Sequence, residues 1–175
     1  MSAAAPARPE ADEYAPYFEG YVSLVPADVD IADALARQLD DALALLRSVG
    51  EERAGSRYAE GKWSVKELVG HVADAERVFA YRLLRVARGD RTPMEGFEQD
   101  DFIRGANFDS RTLTSITEEF ESARRATLTL LRPLGAETMR RRGVANGGEV
   151  SARALAYIMH GHVTHHLNIL RERYL

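Results

Sequence analysis

The chain has 175 residues, 45% hydrophobic and 29% charged, with a formal net charge of −4 and a pI near 5.8. That is the profile of one globular domain, and it argues against nucleic acid or an anionic membrane as partner, because the arginines are scattered among acids. With no cysteine, disulfides, thiolate ligands and cysteine nucleophiles are excluded, and any metal or catalytic chemistry must use nitrogen and oxygen.

No apolar run approaches the roughly 20 residues that span a bilayer, and the first residues lack the apolar core of a secretory signal, so a cytoplasmic protein is expected. Residues 1–13, rich in Ala, Pro and Glu, read as a mobile tail ahead of a single domain over residues 14–175. "YAPYFEGYVSLVP" follows, with Tyr14, Tyr17, Phe18 and Tyr21 between prolines. It reads as an extended segment lying across the domain, its aromatics buried. The first long helix runs from about residue 30 on apolar three- and four-residue steps and stops at Gly50, a natural C′ residue.

In "KWSVKEL", Ser64 and Glu67 form a capping box, and Trp63 and Leu68 take the positions of a hydrophobic staple. A second helix therefore starts there and ends at Gly89, which makes "RGD" at residues 88–90 a helix terminus and not an adhesion motif. Residues 90–109 form a long connection with a short helix near residues 98–104. That length permits one crossover. A third helix ends at Pro133 and Gly135, and the residues around Asn146-Gly147 allow a small hairpin. Ser151 then caps a fourth helix that runs to about Arg173. Four amphipathic helices of about twenty residues imply an all-α four-helix bundle, with the long connection between the second and third.

Four of the five histidines fall within seven residues of the last helix, in "MHGHVTHHLNIL". At about 100° per residue, His162 and His166 lie in the middle of the apolar arc defined by Leu155, Ile158, Met159, Ile169 and Leu170. Their i, i+4 spacing stacks both rings on one face, where two imidazoles can reach one ion. His165 lies at the arc's edge, and His160 on the far side is expected to be solvated. His71, on the shoulder of the second helix's stripe, could complete a three-histidine set across the bundle. Periodicity alone leaves open whether these rings bind a metal or are hydrogen-bonded core residues. Asp74, one turn beyond His71, either orients an imidazole or is an ordinary solvated acid. His165 is either a support to the site or a boundary residue.

"GKWSVKELVGHVADAERVFAYRLLRVARGD" together with "GHVTHHLNILRERYL" resembles the DinB-like (YfiT-like) proteins, four-helix-bundle metalloenzymes with a three-histidine site. The likeness covers most of the chain from about Tyr14. It rests on the capped Trp-Ser start of the second helix, the His71/Asp74 pair and the G-H-x-x-H-H cluster. The resemblance implies metal ligands at His71, His162 and His166, and a possible homodimer. It also implies a small-molecule substrate, since the wider superfamily includes S-transferases using low-molecular-weight thiols and a mycothiol-dependent isomerase. It does not choose a reaction.

Three neutral imidazoles with one position left open describe a catalytic rather than a structural site. Zinc is the default divalent ion, while nickel or iron also suits imidazole. Such an ion could activate water, giving a hydrolase, or hold a borrowed thiol as thiolate, giving a transferase. The lack of cysteine favours the second without excluding the first. The rival is a non-catalytic helical binding module.

Overall fold

The computed structural model describes residues 8–175, and its chain is predominantly helical. In order come α1 (Glu19–Val22), α2 (Ile31–Ala54), α3 (Val65–Ala87), α4 (Gln99–Ala106), α5 (Leu113–Leu131), α6 (Ala136–Met139), the hairpin β1 (Arg142–Ala145) and β2 (Gly148–Ser151), and α7 (Ala152–Ile169). A π-helical turn, Leu170–Tyr174, finishes the chain. No helix among the described residues is long and apolar enough to cross a membrane.

Local chemistry sets the helix ends. Ser64 Oγ accepts from the Glu67 amide at 3.1 Å while Glu67 accepts from the Ser64 amide at 2.8 Å, so the capping box that starts α3 is complete. Ser151 and Thr112 cap α7 and α5 by accepting from the Ala154 and Ser115 amides, without a reciprocal bond, each worth about 1 kcal/mol. Gly50 takes φ 72° and breaks the helical path as its sequence position implies, but one further turn carries α2 on to Ala54. Asn146 and Gly147 both adopt positive φ, the requirement of a tight hairpin turn, and join β1 to β2 in antiparallel register. "RGD" is the end of α3: Arg88 caps it and Gly89 turns the chain at φ 81°.

The four long helices, α2, α3, α5 and α7, form the bundle. Helix α5 packs against both α2 and α3, and so does α7, whereas α2 and α3 scarcely meet. Consecutive α2 and α3 are thus diagonal partners, and α3 and α5, joined by the long connection, are neighbours. The crossover expected in that connection is therefore made elsewhere. Residues 90–112 use their length on α4 and on a bridge from Met94 to the hairpin, with the Met94 amide 3.0 Å from the Val144 carbonyl and the Asn146 amide 2.8 Å from the Met94 carbonyl.

A buried polar network fixes the helices against one another. Arg124 of α5 makes a two-pronged ion pair with Glu76 of α3, both bonds 2.9 Å, and reaches Gln38 of α2 at 3.0 Å. Gln38 donates onward to the His160 carbonyl at 2.7 Å and to Thr164 at 2.8 Å, both on α7. All four helices meet there, so a slide of any one would strand a charge in the core.

Two expectations at the N-terminal end need correction. Of the tail placed at residues 1–13, residues 1–7 lie outside the described residues. From residue 8 the chain is tied down: Arg8 donates to the Val22 and Val25 carbonyls, and Glu13 is buried against Arg153 and Ser151. Charge-assisted bonds hold a segment whose composition offers little apolar surface. The aromatic stretch after it is not extended either. A 3₁₀ turn, Pro16–Phe18, runs into α1, which lies across α7. Tyr14 is buried, but Tyr17 is exposed.

Candidate metal centre

Helix α3 supplies His71, and α7 supplies His162 and His166, all three buried. Ring centroids stand 4.9 Å (His71 to His162), 4.8 Å (His71 to His166) and 4.5 Å (His162 to His166) apart, nearly an equilateral triangle. One nitrogen from each ring falls within 4.8 Å of the others, and the Nε2 atoms of His71 and His162 are 3.0 Å apart. The triad expected from helical phase therefore assembles from two helices ninety-one positions apart.

Burial keeps these rings neutral. It pulls the His71 imidazole down to about 4, against a small upward pull from Asp100. His162 and His166 lie further below the ordinary range, first through burial and then through mutual repulsion with neighbouring imidazoles. Neutral rings keep lone pairs available at neutral pH, the state a metal ligand requires. Core histidines would instead satisfy one another. A hydrogen bond between His71 and His162 leaves His166 Nδ1 unpartnered, the one such buried side-chain nitrogen or oxygen among the described residues. Donors about 2.0–2.1 Å from a tetrahedral ion stand about 3.3 Å apart; the His71–His162 pair stands at 3.0 Å, and the His166 nitrogen lies within 4.8 Å of both. The donor set and its spacing fit a divalent cation.

Aromatic rings enclose the triad. Trp63 packs 4.9 Å from His71 and lies nearly parallel to His166 at 6.4 Å. Tyr21 and Phe79 meet His162 edge-on at 5.4 and 5.7 Å. His71 and His162 open into a cavity of about 330 Å³, walled by Tyr17, Tyr21, Phe79, Arg82, Phe97 and Asn146. Its remaining wall is the long connection, residues 96–100.

Half-buried His165 packs against Tyr21 and His166 but stands outside the triad. Asp74 turns toward α5, 3.9 Å from Arg77 and in the field of Glu119, and makes no hydrogen bond to a histidine; burial raises its carboxyl first, Glu119 second. His160 is not solvated: it is buried, its ring 3.5 Å from Thr164, and burial lowers it to about 4. The far face of α7 is covered by α2, so a one-sided helical wheel misplaces it. Sequence reasoning missed Tyr21 and Arg82. Arg82 was legible, eleven residues after His71 and thus about 20° away around α3; no local signal announces Tyr21.

The sequence matches the DinB superfamily over residues 34–170. Among solved structures, the fold is similar to YfiT from Bacillus subtilis, reported as a probable metal-dependent hydrolase with an unusual four-helix bundle topology. The TM-score is 0.66 at 17% identity, over 91% of this chain and 93% of that one. It is similar also to the DinB-like protein YjoA from Bacillus subtilis, with a TM-score of 0.60 at 20% identity, over 82% and 87% of the two chains. A mycothiol-dependent maleylpyruvate isomerase gives a TM-score of 0.65 at 17% identity, over 83% of this chain and 61% of that one. No curated protein sequence matches.

Proposed function

Since the chain belongs to the DinB superfamily, we propose that His71, His162 and His166 hold a divalent ion and that the protein is a metal-dependent enzyme. The observation that carries this reading is the convergence of three buried, neutral imidazoles, two of them (His71 and His162) lining a cavity, with His166 Nδ1 left without a hydrogen-bond partner. Zinc is the default occupant, and nickel or iron suits the same nitrogens.

When bound, such an ion supplies Lewis acidity, lowering the pKa of a water or thiol that reaches it. The surrounding residues supply the rest. Trp63, Tyr21 and Phe79 exclude water from the flanks of the histidines, which strengthens electrostatic interactions inside the cavity. Asp100, at the rim, adds negative potential felt at His71.

The substrate is a small molecule, and the leading reaction is transfer to a low-molecular-weight thiol. A chain with no cysteine must borrow its sulfur nucleophile, and a structural neighbour is mycothiol-dependent. The likeness to YfiT favours hydrolysis as the second reading. Untagged protein, reconstituted with zinc and assayed on a chromogenic electrophile with and without a panel of thiols, separates them. Thiol-dependent, chelator-sensitive turnover supports transfer, thiol-independent turnover supports hydrolysis, and no metal uptake by wild type sinks both.

A further inference from the structure

Three arginines are buried among the described residues: Arg82, Arg124 and Arg153. Two face a carboxylate, Arg124 with Glu76 and Arg153 with Glu13. Arg82 does not. Its contacts are one bond from Nη2 to the Glu95 carbonyl at 2.8 Å and the face of Phe79, 6.0 Å from its guanidinium carbon. A guanidinium has five donors, so most of those on Arg82 are unused. Its nitrogens are not sealed in the core either, since the one buried atom without a partner is on His166. Arg82 lines the same cavity as His71 and His162.

We propose that Arg82 receives the carboxylate of the substrate, and that the cavity takes an elongated carboxylic acid with an apolar body, its reactive end toward the histidines. This rests on the metal-dependent reading of the same site. Burying an unpaired charge is unfavourable unless a counter-charge arrives, and a planar carboxylate matches the guanidinium fork. His71 and Arg82 lie on one face of α3, eleven residues or about 16 Å apart at the backbone, and the side chain's lean toward the helix N-terminus shortens that span. Between them the wall is Ala75 and Phe79, which have no group to pair with a polar substrate body. The cavity's acids, Glu98 and Asp100, are exposed and make no ion pair with Arg82. Asp100 acts on His71, at the opposite end. Asp100 thus offsets part of the ion's charge at the histidine end, while at the Arg82 end no acid competes for the guanidinium.

The test uses the full chain loaded with zinc and two probes that differ only in charge, 4-phenylbutanoate and its amide. Calorimetry should show the acid binding at least about tenfold more tightly, the low end for a hydrogen-bonded charge pair. In Arg82→Gln, which keeps a donor for the Glu95 carbonyl, the ratio should fall to about one with metal content unchanged. Equal binding of both probes to wild type, or a preference that survives in Arg82→Gln, overturns the proposal, the latter by pointing to direct coordination. Should Arg82→Gln not fold, Arg82→Lys identifies the Arg82 Nε–H resonance in spectra of wild type. That resonance must shift with the acid and stay still with the amide. The preference should persist in His162→Ala and His166→Ala although they lose the metal, and failure of the metal reading would register separately as wild type that takes up no zinc yet keeps the acid preference.

Discussion

A methyl group at Gly161 of α7 would stand 1.9 Å from the carbonyl oxygen of Tyr21 in α1. The obstacle is backbone, so it cannot rotate away, and Gly161→Ala should force α1 off α7. Overpacking of this kind costs about 1–3 kcal/mol, or several degrees in melting temperature at roughly 2–4 °C per kcal/mol for a chain of this size. Tyr21 leans on His162, so α1 amides should lose protection from hydrogen exchange while the triad stays assembled. Gly20→Ala is the control: nothing lies within 4 Å of its added carbon, and it should be neutral or stabilising. Equal melting of wild type and Gly161→Ala would refute the close approach.

Trp63, the only tryptophan, is a built-in reporter, 4.9 Å from His71 and 6.4 Å from His166. Stoichiometric nickel should quench its fluorescence. In His162→Ala the titration should become shallow, needing at least tenfold more nickel, because a lost ligand or supporting partner commonly costs about 10–100-fold in affinity. A metal that binds only the native state also raises stability, so chelator should lower the melting temperature of wild type and not of the variant. An unquenched tryptophan in nickel-saturated protein would place the metal elsewhere.

The Glu76–Arg124 pair predicts strong non-additivity. Glu76→Leu leaves the Arg124 guanidinium buried without its counter-charge and should cost about 3–5 kcal/mol. Replacing both, as Glu76→Leu with Arg124→Met, removes the charges together and should cost clearly less than the sum of the single changes. Urea denaturation of the four proteins measures this. Additive losses would show that the network is not coupled.

Which features could be read from the sequence follows from how local their causes are. The Ser64–Glu67 box, the Ser151 cap and the Asn146-Gly147 turn were legible because each is settled within four residues. The pairing of His162 with His166 was legible as helical phase, and His71 as the one histidine on another helix. His160 was misread because the wheel assumes one buried face, and α7 is covered on both sides. The approach of Tyr21 to Gly161 and the diagonal placement of α2 and α3 depend on non-local packing, for which periodicity carries no signal. Glu13 was lost to its composition, since an acid in an Ala- and Pro-rich stretch gives no hint of a buried partner 140 residues on.

The Glu13 contacts give the fold a measurable acid dependence. Burial alone would raise its carboxyl, but hydrogen bonds from Arg153 and Ser151 outweigh it and bring the group from the ordinary 4.5 down to about 2. A lowered folded-state value means that the stabilisation is fully present above pH 4.5 and is lost as pH falls toward 2, where both states are protonated. A shift of that size corresponds to about 3 kcal/mol at neutral pH. The buried histidines act in a different window. His71 and His160, lowered from 6.5 to about 4, weaken the fold as pH drops through that range, because the unfolded chain takes up protons first. Unfolding free energies of metal-free protein measured from pH 7 to pH 2 should therefore fall in two stages, and Glu13→Gln should flatten only the stage below 4.5. Deleting residues 1–13 should remove the same acidic stage and lower stability at neutral pH. An unchanged acid limb in both variants would mean that Glu13 carries no such stabilisation.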